Sequence, residues 1–116
     1  MQYLLLIYAA EEDWQKRSEA ENKDIIADYN RFSDDVAKGG HFRAGQRLKP
    51  VATATTVRVK DGKTLTTDGP FAEMKEAIGG YLVFEADDLD AAIELASRIP
   101  AASMGGAVEV RPIAEW

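Results

Sequence analysis

The chain has 116 residues, of which 46% are hydrophobic and 29% are charged, a composition typical of a single globular domain spanning residues 1–116. Its formal net charge of −6, without a basic cluster, argues against nucleic acid or an anionic membrane surface as a partner. Cysteine is absent and histidine occurs once, which excludes thiol nucleophiles, disulfides and multi-histidine metal sites, so we expect no metal and no cofactor. The apolar run near the N-terminus is too short to span a bilayer and lacks signal-peptide features, and we therefore expect a cytoplasmic protein.

The first predicted element is a strand, Gln2–Ala9, because a short apolar run stops abruptly at a charged segment. Both of its alternating faces are apolar, so both must be covered. One face carries Tyr3, Leu5 and Ile7, and the other carries Leu4, Leu6 and Tyr8. A short separate turn is expected around Trp14.

A long helix is predicted over residues 18–38. Apolar side chains recur there at i, i+4, i+7 and i+11, which places them on one helical face. They are Ile25, Tyr29, Phe32 and Val36. The pair Gly39-Gly40 supplies the left-handed stop that helices favour.

The remaining elements follow as strand, hairpin, strand, helix and strand. A short strand is expected at residues 41–48, and Asp61-Gly62 joins two β-prone runs, 53–60 and 63–67, as a hairpin. Residues 79–86 form a strand that is again apolar on both faces. Asp87 or Asp88 caps a second helix that is ended by Pro100, and a last strand covers 107–113.

This order predicts an α+β fold: an antiparallel sheet with two helices on one face plus an inserted β-hairpin. The second sheet face would then lie open, and an apolar face of that kind is rarely left to water. With ~500 Å² of apolar surface per chain, covering it gains roughly 12 kcal/mol before association costs. We therefore expect a homodimer that pairs these faces, and Leu6→Glu should either split it or unfold the chain.

The densest polar segment surrounds Asp68 and includes Glu73 and Lys75. Asp-Gly-Pro is a turn signal, so one interpretation makes Asp68 a turn-stabilising carboxylate. The other makes Asp68 a general base in a cleft, with Glu73 as its partner and Lys75 keeping both ionised. Both interpretations remain open.

Two further residues are candidates. His41 is the one histidine, and its near-neutral pKa suits proton transfer, although a solitary histidine is more often incidental. Arg47 belongs to a group of strand arginines, with Arg43, Arg58 and Arg111, any of which could bind an anionic ligand group in two-pronged fashion.

Asp68-Gly69-Pro70-Phe71, followed by Glu73, Lys75-Glu76 and Gly79-Gly80-Tyr81, resembles the signature of the YCII-related DGPF-domain family. The later segments Asp88-Leu89-Asp90-Ala91-Ala92 and Glu109-Val110-Arg111-Pro112 are similar to the family pattern too. The resemblance implies a ferredoxin-like dimeric α+β barrel. That superfamily includes cofactor-poor monooxygenases, lactone isomerases, haem peroxidases and binding modules, so the resemblance leaves the activity open.

Two functions follow as hypotheses. The first is a small-molecule enzyme with cofactor-free acid/base chemistry, in which Asp68, Glu73 and His41 are catalytic. Gly69, Pro70, Phe71, Lys75 and Arg47 would then bind the ligand. The second, suggested by the family's frequent association with sigma factors, is a non-catalytic ligand- or partner-binding protein linked to transcription regulation.

Overall fold

Four strands form an antiparallel sheet in the computed structural model, which describes residues 1–115. The sheet strands are β1 (Gln2–Ala9), β2 (Phe42–Arg47), β5 (Ala77–Glu85) and β6 (Ala107–Pro112). Their order in the sheet is β2-β5-β1-β6. The helices are α1 (Glu11–Lys16), α2 (Glu19–Lys38), α3 (Leu89–Ser97) and α4 (Pro100–Ser103). A separate hairpin consists of β3 (Thr55–Lys60) and β4 (Lys63–Asp68), after a 3₁₀ turn at Val51–Thr53. The predicted α+β class, antiparallel sheet and inserted hairpin are confirmed.

The packing of the helices decides which face of the sheet is buried. Tyr3 and Leu5 of β1 and Phe84 of β5 are fully buried on the helix side, where Phe84 lies 6.0 Å from the ring of Phe32 on α2. The core also contains Val36 of α2 together with Ala92, Leu95, Ala96, Ile99 and Ala101. Because side chains alternate along a strand, Leu4, Leu6 and Tyr8 lie on the opposite face.

Helix α2 begins with a capping box. The Ser18 hydroxyl accepts the Glu21 backbone N–H at 3.1 Å, and the Glu21 carboxylate accepts the Ser18 N–H at 3.1 Å. The bond from the Ser18 backbone N–H to the Glu21 carboxylate, and after it the Ser18 side chain, lowers the pKa of Glu21, because each favours its charged form. The helix ends at Lys38, and Gly40 then adopts a positive φ of 77°, as the glycine pair predicts.

The second half of the chain differs from the prediction at Pro100. Helix α3 ends earlier, at Ser97, and Pro100 begins the short helix α4 rather than ending α3. Proline is suited to a first helical turn because the N–H it lacks would have no partner there. Asp88 is the cap of α3, since its carboxylate accepts the Ala91 N–H at 2.8 Å.

The hairpin extends away from the sheet. Its turn uses Asp61 at φ 52° and Gly62 at φ 76°, the two positive values that a tight hairpin turn requires. All of β4 is exposed, and Val59 of β3 is 70% exposed. The hairpin thus adds little to the core of its own chain.

Within residues 1–115, no helix is both long enough and apolar enough to cross a membrane.

Candidate ligand-binding cavity

A cavity of about 730 Å³ lies between the helices and the sheet. Its walls come from α1, from the part of α2 between Ile25 and Ala37, from the strands β1, β2 and β5, and from residues in and after α4. Phe32 and Val36 are the buried residues of α2, and Phe32 also lines the cavity. The apolar lining includes Ile7, Trp14, Ile25, Tyr29 and Leu82.

Helix α1 contacts the end of β2 and the segment after it. The Arg47 guanidinium lies 4.6 Å from the centre of the Trp14 ring, a cation–π contact. The Glu11 carboxylate accepts the Val51 backbone N–H at 2.8 Å. Because α1 and the end of β2 both line the cavity, these contacts close one of its sides.

Tyr29 places a polar group in this apolar wall. Its hydroxyl accepts the Ala101 backbone N–H at 3.3 Å. Burial raises the pKa of Tyr29, while the Ala101 bond and the charges of Arg47 and Arg17 act in the opposite direction. The phenol is therefore neutral at neutral pH and keeps its proton.

Of the residues predicted for the site, Arg47 is the one that lines this cavity within residues 1–115. Asp68, Glu73 and Lys75 are exposed and lie outside it, at and after the end of the hairpin. The structure thus separates the predicted carboxylates from the cavity of their own chain.

Two hydrogen bonds to backbone groups hold the predicted DGPF turn. The Gly69 N–H donates to the Ala54 carbonyl at 2.8 Å, and the Thr56 hydroxyl donates to the Gly69 carbonyl at 2.9 Å. Gly69 has a φ of 99°, which L-residues with a side chain rarely adopt. Pro70 is half-buried, whereas Phe71 is 74% exposed and has the Arg58 guanidinium 4.8 Å above its ring.

His41 lies just before β2, at the opposite end of that strand from Arg47. Its Nδ1 is 2.9 Å from the Glu85 carbonyl oxygen. Since a carbonyl only accepts, Nδ1 carries the proton in this contact. The His41 backbone also bonds to Val36 and Glu85, so the residue connects the end of α2 to the end of β5.

Trp14, Tyr29 and Arg17 are cavity residues that the sequence did not reveal as such. Tyr29 falls in the apolar stripe of α2, where a core position is the natural expectation. Trp14 gives a weak signal, as a large aromatic residue in a short polar helix. Among the described residues there is no cluster of three His, Asp or Glu side chains suited to hold a metal ion.

Comparison with known proteins gives two matches. The model of the YCII-related domain matches residues 1–116. A protein of Rhizobium meliloti (strain 1021), described as uncharacterized, is 32% identical over 115 residues, which cover 98% of this chain and 93% of the relative. Both matches span the strands, the helices and the DGPF segment together. The chain therefore belongs to the YCII-related domain family.

Proposed function

We propose that the protein binds a small, mainly apolar molecule in the cavity between α1, α2 and the sheet. The cavity itself carries this proposal. Its volume of about 730 Å³ falls within the range of small-molecule sites, and its walls combine aliphatic and aromatic side chains with charged and amide groups.

The placement of the polar residues favours binding over turnover within a single chain. A general base must come within hydrogen-bond distance of the proton it removes, or reach it through one water. Asp68, Glu73 and His41 lie outside the cavity of their own chain. A catalytic version of the proposal, with acid/base chemistry and no cofactor, therefore needs the DGPF loop of a second chain to close over the cavity.

The open face of the sheet supports the proposal that a second chain is present, as part of a homodimer. Leu4 and Leu6 of β1 lie beside Val83 and Tyr81 of β5, and all four side chains are only half-buried. Towards β6 the same face carries Glu109, which is ion-paired with Arg111. An apolar centre with a charged edge is the usual composition of an interface between copies of a chain.

Dye binding tests the cavity. Phenylnaphthylamine, an uncharged aromatic dye that brightens in apolar surroundings, should bind the wild-type chain saturably. Ile25→Trp should weaken this binding, because the larger indole takes up part of the cavity beside Tyr29. Ile93→Trp, the same change on the exposed surface of α3, is the matched control and should bind like the wild type.

Two results would contradict the proposal. One is that the dye fails to bind the wild-type chain. The other is that both tryptophan variants bind it equally well, which would place the dye elsewhere on the protein.

A further inference from the structure

Two side chains in the wall of the cavity have hydrogen-bond donors to offer a ligand. The Tyr29 hydroxyl accepts a bond from Ala101, but within residues 1–115 no acceptor receives its own proton. The guanidinium carbon of Arg47 lies 4.6 Å over the Trp14 ring, and its N–H groups donate to no acceptor among the described residues. Both residues line the same cavity.

Two positive charges act on the Tyr29 hydroxyl. The charges of Arg47 and Arg17 both act on its hydroxyl, and neither arginine is ion-paired among the described residues. Three carboxylates also line the cavity. That of Glu11 is bonded to the Val51 N–H, and Asp13 and Asp34 are exposed residues that water can solvate.

We infer that the molecule bound in this cavity carries an anionic oxygen group, such as a carboxylate, held by the Tyr29 hydroxyl and the Arg47 guanidinium. The inference rests on the proposed binding function and adds the chemical class of the ligand. The apolar part of the molecule would lie against the aliphatic side chains of the lining, such as Ile7, Ile25 and Leu82. A neutral phenol and a guanidinium are both donors, so a ligand with only donor groups would leave them unsatisfied.

A matched pair of dyes tests whether the ligand carries an anionic oxygen group. Anilinonaphthalene sulfonate has the aromatic skeleton of phenylnaphthylamine and adds one anionic oxygen group. It should bind the wild-type protein at least tenfold more tightly, because a hydrogen bond to a charged group contributes about that factor. Titration of each dye, followed by its fluorescence, gives the two dissociation constants.

Four variants assign the difference in affinity to particular residues. Tyr29→Phe and Arg47→Gln should each weaken binding of the sulfonate about tenfold more than they weaken binding of the uncharged dye. Lys63→Gln, which removes one positive charge from the hairpin, controls for net charge and should change neither dye. Arg47→Lys keeps the positive charge but loses the planar guanidinium that stacks on Trp14. This variant should retain part of the affinity for the sulfonate, which separates the effect of the charge from the effect of the stacking.

Each outcome is decisive. If both dyes bind the wild type equally, or if the sulfonate binds Tyr29→Phe and Arg47→Gln as tightly as the wild type, the anionic class is wrong and the apolar cavity stands. If neither dye binds the wild type, the binding function itself is wrong and the inference falls with it.

Discussion

Leu6 gives the sharpest test of the proposed dimer, because the register of the sheet shows which substitution to make. Leu6 lies directly opposite Glu109 of β6. Leu6→Glu would place two like charges side by side and weaken the sheet of the single chain as well as the dimer. Leu6→Lys instead pairs with Glu109 and leaves the fold of the chain intact while it puts a charge at the centre of the interface.

The expected size of the effect follows from the burial of Leu6. Full burial of a leucine gains ~1.5–3 kcal/mol, and since Leu6 is already half-buried, roughly 1 kcal/mol remains for the interface. Desolvating the lysine adds a cost of at least about 1 kcal/mol, even if its side chain bends to the edge. In a two-fold symmetric dimer each chain carries the substitution, so both costs occur twice. The free energy of dimerisation is then less favourable by about 4 kcal/mol, which makes the dimer roughly a thousandfold weaker.

Light scattering coupled to size exclusion measures the outcome at tens of micromolar protein. The wild type should show twice the chain mass of 12.7 kDa, and Leu6→Lys should show the single-chain mass with unchanged circular dichroism. Leu65→Lys makes the same change on the exposed hairpin and should remain dimeric. A monomeric wild type, or a Leu6→Lys variant that stays dimeric, would refute the reasoning.

Three further changes test the fold and the DGPF turn. Leu5→Ala should lower the free energy of unfolding by ~2–5 kcal/mol in urea titration, because Leu5 is 0% exposed; a loss below about 1 kcal/mol would contradict its place in the core. Ser18→Ala should cost about 1 kcal/mol in the same assay, since the Glu21 N–H loses its acceptor, and an unchanged stability would argue against the capping box. Asp68→Asn should change stability by less than ~0.5 kcal/mol in thermal melting, because the residue is exposed and backbone groups hold the turn. A drop above about 1 kcal/mol would instead support a turn-stabilising carboxylate.

Local chemistry in the sequence was sufficient for most of the elements. Ser18 with Glu21 begins α2, Gly40 ends it, and Asp61-Gly62 makes the hairpin turn, because each acts on backbone groups only a few residues away. The alternation of Gln2–Ala9 likewise predicted a strand with two apolar faces. The DGPF segment was specific enough to predict the family, which the match over residues 1–116 confirms.

The sequence could not choose between the two faces of β1. Tyr3, Leu5 and Ile7 are as apolar as Leu4, Leu6 and Tyr8, so periodicity treats the sets alike. The choice depends on where α2 and α3 pack, and only the tertiary structure places Phe32 and Leu95 on the side of Leu5.

The candidate site depended on tertiary structure even more. Trp14, Tyr29 and Arg47 are far apart in the chain, and they line one cavity because the tertiary structure brings α1, α2 and the end of β2 together. No local sequence pattern encodes such a cavity, because its shape depends on the spacing between elements that are distant in the chain. The sequence therefore determined the elements and the family of this protein, and the packing of α1 and α2 against the sheet determined where the proposed binding cavity lies.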